Sequence, residues 1–141
     1  VIGAILLLAA STPTITTDEQ RAAARAVLMA AFKNDEAGFN APLANKPVFQ
    51  NATIRGRVTK SAPLTADRLQ TFTSGCTLAD WGEARDVSWV LAWKCGENYH
   101  EMRFDFSGAR IARVVVSEGA PWVYMAGTAF PAFPDTFEGD R

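Results

Sequence analysis

The 141-residue chain is poor in the residues that carry most enzyme chemistry. It has one histidine, two cysteines and two tyrosines. One His and two Cys spaced 19 apart do not make a metal site, which needs several ligands at short spacings. Neither a Gly-rich phosphate loop nor a Gly-x-Ser-x-Gly elbow occurs, and both of those chemistries depend on such turns. No cofactor is expected. The formal net charge is -1, from 14 basic and 15 acidic residues. That balance lacks the basic excess of a nucleic-acid binder, and no run of like charges marks a tail. The apolar stretch at residues 1–10 carries no charge but falls short of the roughly 20 apolar residues that span a bilayer, so no stable membrane span is expected.

The length fits one domain, large enough to bury a core without staples. Residues 1–11 read as the apolar part of a secretory signal without its basic start, with Ala9-Ala10-Ser11 as a small-residue cleavage site. The alternative is a buried N-terminal strand. In an exported protein, Cys76 and Cys95 are most simply a disulfide. Together these features predict a secreted or periplasmic location.

The central stretch, residues 87–116, has a period of two. Val87, Trp89, Leu91, Trp93 and Cys95 alternate, then His100, Met102, Phe104 and Phe106, and residues 111–116 follow as a third run. Alternation of aromatic and branched side chains marks half-buried strands. The Gly and Asn between the runs mark hairpins. If Cys76 faces Cys95, Leu78 faces Trp93 and Asp80 faces Leu91, with a turn at Arg85-Asp86. A turn at Glu97-Asn98 would set Cys95 opposite His100, Trp93 opposite Met102 and Lys94 opposite Glu101. A turn at Ser107-Gly108 would set Phe104 opposite Ile111 and Asp105 opposite Arg110. Both charge matches would fall on the outer face.

Upstream, Thr17-Asp18-Glu19-Gln20 has the form of a capping box. Ala24, Val27, Leu28, Ala31 and Phe32 continue as a helical stripe, with Gly38 as the expected stop. Residues 40–47 read as a loop. Ile54 and Val58 suggest a short strand with a bend at Gly56. Thr65 can cap a short helix that turns Leu69 and Phe72 inward. Residues 122–130 predict a further strand, and residues 131–141 a Phe/Pro-rich tail. Helices followed by an antiparallel sheet make an α+β fold.

Three features resemble the nuclear transport factor 2-like superfamily (the SnoaL-like, cystatin-like cone). They are the early helix with Arg25-Ala26-Val27-Leu28-Met29-Ala30-Ala31-Phe32, the late run of long strands, and Phe104-Asp105-Phe106-Ser107-Gly108-Ala109-Arg110-Ile111-Ala112-Arg113-Val114. The resemblance covers residues 17–130. It implies a long N-terminal helix packed in a curved antiparallel sheet, with a pocket at the open end of the cone. It also implies a homodimer through the outer sheet face. The family includes isomerases and hydrolases as well as binding modules, so fold does not decide function.

In the expected register, His100, Arg113, Asp80 and Tyr124 are the polar residues on the inner face, and Trp93 is an apolar candidate for the pocket wall. His100 could serve as a general acid or base, Arg113 could hold an oxygen and Tyr124 could donate a hydrogen bond. Against this, His100 could be a core or rim residue, Arg113 could extend to the rim, and Trp93 could be core packing. The first reading is an exported domain that binds a small apolar ligand or a protein partner without catalysis. The second is a small cofactor-free isomerase or hydrolase using His100 and Arg113. The third is a structural dimerisation module with a filled cone.

Overall fold

A computed structural model describes residues 15–53, 55–85 and 87–118. Within them the order is α1 (Thr17–Lys33), α2 (Glu36–Asn40), β1 (Leu43–Ala52), β2 (Val58–Pro63), α3 (Ala66–Thr73), β3 (Cys76–Arg85), β4 (Ser88–Cys95), β5 (Asn98–Ser107) and β6 (Arg110–Glu118). The proposed signal segment, the strand expected at residues 122–130 and the tail lie outside the described residues.

Helix α1 is rich in alanine, the best helix former. Its capping box begins one residue earlier than expected. Thr16 Oγ1 accepts from the Glu19 N–H at 3.2 Å, and Glu19 Oε1 accepts from the Thr16 N–H at 3.0 Å. Asp18 and Glu19 favour the positive helix start and Lys33 its negative end. The stop is Asn34, in the left-handed region at φ 57°, and not Gly38. Gly38 lies inside α2, where its N–H donates to the capping Asp35 at 3.0 Å. The expected stripe is present: Ala24, Val27, Leu28 and Ala31 are fully buried.

The six described strands form one sheet in the order β2-β1-β6-β5-β4-β3. All neighbours are antiparallel except β1 and β6, which run parallel. The parallel pair departs from the purely antiparallel sheet expected. It is possible because α3 and four strands lie between β1 and β6 in the chain, as a parallel pairing requires a long crossover. Strand β1 also takes in much of the region expected to be loop, despite Pro47, and Lys46 has φ 52° at an irregularity in its pairing.

Three register differences reposition side chains. The β4–β5 turn is Gly96-Glu97, so Cys95 pairs with Asn98 and Trp93 with His100. Gly96 has φ 65°, which glycine adopts without a steric penalty. This shift is two residues, so faces are kept but Lys94 meets Tyr99 instead of Glu101. In β3–β4 the Cys76–Cys95 and Leu78–Trp93 pairs are as expected, but irregularities then set Asp80 opposite Ala92. In β5–β6 an irregularity between Asp105 and Phe106 sets Phe104 opposite Val114 and Asp105 opposite Arg113. A one-residue slip exchanges the faces of a strand. Val114 and Val116 therefore face inward, fully buried, and Arg113 faces outward.

The core lies between α1 and the inner sheet face. Leu28 and Val27 meet Leu91, Met102, Phe104, Ile111, Val114 and Val116. Each such large side chain contributes roughly 1.5–3 kcal/mol on burial. Cys76 and Cys95 form a disulfide closing a 19-residue separation.

Candidate functional site

Helix α3 positions the site on the helix side of the sheet. Thr65 Oγ1 accepts from the Arg68 N–H at 3.2 Å, as expected of its cap. Leu69, fully buried, anchors the helix in the core, and Thr73 Oγ1 donates to the Leu69 carbonyl at 2.7 Å. On this framework Phe72 stands between two rings. Its centroid is 6.5 Å from Phe49 at an interplanar angle of 64°, and 5.7 Å from His100 at 80°. Edge-to-face contacts of this kind favour the polarised ring edge over the π face.

Between α3 and the β1–β2 hairpin is a cleft of about 500 Å³. Phe49, Ala62 and Phe72 give it an apolar floor, and Asn51, Lys60 and Arg68 are among the polar residues of its rim. An apolar surface with a few polar groups is the usual composition of a small-molecule site. The sequence signals for this cleft were partial. The Thr65 cap and the inward Phe72 are legible, but Phe49, Ala62 and Lys60 come from strands broken up by Pro47 and Gly56.

The expected site residues do not gather. His100 is on the inner face, half-buried against Phe72, and its buried Nδ1 has no hydrogen-bond partner among the described residues. Trp93 is buried on the same face, with its ring edge-on to Phe32 at 6.5 Å. Arg113 is on the opposite face, where its Nε donates to Asp105 Oδ2 at 2.7 Å. Asp80 pairs with Ala92 and not Leu91; its side chain and all of Tyr124 lie outside the described residues. Among the described residues, no group of three or more His, Cys, Asp or Glu is placed to hold a metal ion, and no helix is long and apolar enough to cross a membrane.

No protein-family model matches the sequence. No curated protein matches it either. Solved structures do match the fold. A SnoaL-like protein of unknown function from Burkholderia thailandensis E264 aligns at TM-score 0.53 with 11% identity, over 76% of this chain and 100% of that one. The chain has a cystatin-like fold. A cystatin-like-fold protein of unknown function from Methylobium petroleophilum PM1 aligns at TM-score 0.52 with 15% identity, over 92% of this chain and 95% of that one. An LEH-like epoxide hydrolase of M. tuberculosis aligns at TM-score 0.50 with 18% identity, over 77% and 86% of the two chains. These neighbours thus include a hydrolase and proteins of unknown function, a range that a shared fold allows.

Proposed function

We propose that this chain is an exported, non-catalytic binding domain that takes a small apolar ligand in the cleft between α3 and the β1–β2 hairpin. One observation carries the choice against an enzyme: His100 and Arg113 lie on opposite faces of the sheet. A general acid–base and an oxygen-holding cation must converge on one substrate, and a sheet between them prevents that. His100 also lacks an orienting hydrogen bond to Nδ1 among the described residues, which a catalytic imidazole ordinarily has. The apolar floor of Phe49, Ala62 and Phe72 supports an apolar ligand, and the Cys76–Cys95 disulfide supports an oxidising compartment.

The test is a fluorescence titration with the neutral apolar probe N-phenyl-1-naphthylamine, alongside native mass measurement of the purified protein. Micromolar binding that Ala62→Trp weakens at least tenfold is the expected result. Turnover of an epoxide or ketone that disappears in His100→Ala would overturn the proposal, as would probe binding indifferent to Ala62→Trp.

A further inference from the structure

The sheet face turned away from α1 carries a second constellation, separate from the α3 cleft. Val48, Arg113, Asp105 and Ser88 form one row, each the direct partner of the next across β1, β6, β5 and β4. Gln50, Val115, Arg103 and Val90 form the adjoining row. A groove of about 690 Å³ runs over them, with Val48, Val87, Phe106 and Ala112 among its apolar walls.

Asp105 sits at the base, only 8% exposed. It accepts from Ser88 Oγ at 2.6 Å, from Arg103 Nε and Nη2 at 2.7 and 3.1 Å, and from Arg113 Nε at 2.7 Å. Both carboxylate oxygens are thereby occupied, which leaves Asp105 a brace rather than a base. Burial raises its pKa, but the hydrogen bonds from Arg103, Ser88 and Arg113 outweigh this and hold it below the ordinary aspartate value. The brace stays charged and keeps two guanidinium groups side by side.

Two features of this arrangement are incomplete. First, the charge does not balance: Arg85, Arg103 and Arg113 line the groove against only Asp105 and Glu101. Glu101 is engaged by Arg85 at 3.3 Å and acts on Arg103 as well. Each of Arg103 and Arg113 retains roughly three of a guanidinium's five N–H donors, with no other acceptor among the described residues. Second, Gln50 Oε1 is buried and has no donor among the described residues. A buried acceptor left without a donor is uncommon in native structures. The two deficits are complementary, one asking for an anion and the other for a hydrogen-bond donor.

We propose that this groove binds a small carboxylate bearing a hydroxyl group, its carboxylate on Arg103 and Arg113, its hydroxyl donating to Gln50 Oε1, and its apolar body against Val48 and Ala112. Guanidinium groups match planar carboxylates in bidentate fashion. Gln50 and Arg103 stand two strand spacings apart, roughly 10 Å at the backbone. A ring with its two polar groups at opposite ends suits that separation.

The test uses the full chain and three probes of one shape: 4-hydroxybenzoate, benzoate and the neutral 4-hydroxybenzamide. Isothermal titration at low salt is run alongside native mass measurement at the same protein concentration. The expected order is 4-hydroxybenzoate about tenfold tighter than benzoate, with the amide weaker than either. Gln50→Leu should abolish the preference for the hydroxyl while leaving benzoate affinity within about twofold. Arg113→Gln should weaken both acids at least tenfold. Should that variant fold poorly, Ala112→Phe, which fills the groove without touching the brace, should do the same. Ala62→Trp, in the α3 cleft, should leave the acids unaffected, which separates failure here from failure of the cleft. Equal binding of acid and amide, no binding at millimolar concentration, indifference to Ala112→Phe, or a dimer whose formation excludes the acids would overturn the proposal.

Discussion

Asp105 and Arg113 are direct cross-strand partners on the outer face, with Arg113 Nε and Nη2 each 2.7 Å from Asp105 Oδ2. That pairing places β6: with Arg113 outward, Val114 and Val116 must face α1. It also removes Arg113 from any chemistry with His100.

The pairing makes stability depend on pH. The folded pKa of Asp105 is lowered, because the hydrogen bonds from Arg103, Ser88 and Arg113 exceed the opposing effect of burial. A lowered folded value means that the unfolded chain takes up the proton first as pH falls. The contribution is therefore complete above the unfolded value of about 3.9, and is lost as pH drops from there through the folded value. Melting temperature followed from pH 7 to pH 2 should fall more steeply for the wild type than for Asp105→Asn. At neutral pH Asp105→Asn should cost about 1–3 kcal/mol. This lies below the loss for a fully buried broken pair, because Arg103 and Arg113 are partly exposed to solvent.

The β6 register is tested by neighbours in sequence. Val114 is fully buried, whereas the Arg113 side chain is 44% exposed. Val114→Asp puts an unpaired charge in the core, and the protein should not fold at room temperature. Arg113→Gln should cost no more than about 2 kcal/mol by denaturant unfolding, given its exposure. The expected register would have given the reverse order.

The disulfide closes a 19-residue separation. Replacing both Cys76 and Cys95 with Ser should lower unfolding free energy by about 3 kcal/mol in the chain-entropy picture. Dithiothreitol should lower the wild-type melting point and leave the double variant unchanged.

Gly82 has φ 85°, and a Cβ built there would collide with the Val90 carbonyl. This is where β3 departs from its simple register with β4. Gly82→Ala should cost at least 2 kcal/mol, beyond the usual expense of positive φ in a residue with a side chain. Gly96→Ala, whose Cβ would meet nothing within 4 Å, should cost about 1 kcal/mol. Thermal unfolding of the two variants under one buffer decides between them.

The amino-acid sequence by itself determined the elements with strong local signals. The alanine-rich stripe made α1, Thr65 capped α3, and alternation placed Trp89, Leu91 and Trp93 on the buried face. Two cysteines of matching parity fixed the start of the β3–β4 ladder. Tertiary structure decided how strands slid and which distant segments met. Residues 114–116 are all valine, so alternation could not say which face of β6 was buried. Asp105 could meet Arg110 or Arg113 with the same charge match, and the irregularity before Phe106 chose Arg113. The parallel partnership of β1 with β6 leaves no local pattern, because it joins residues more than sixty positions apart. Local chemistry thus chose the strands and most of their faces, while long-range packing chose the register and the buried face of β6.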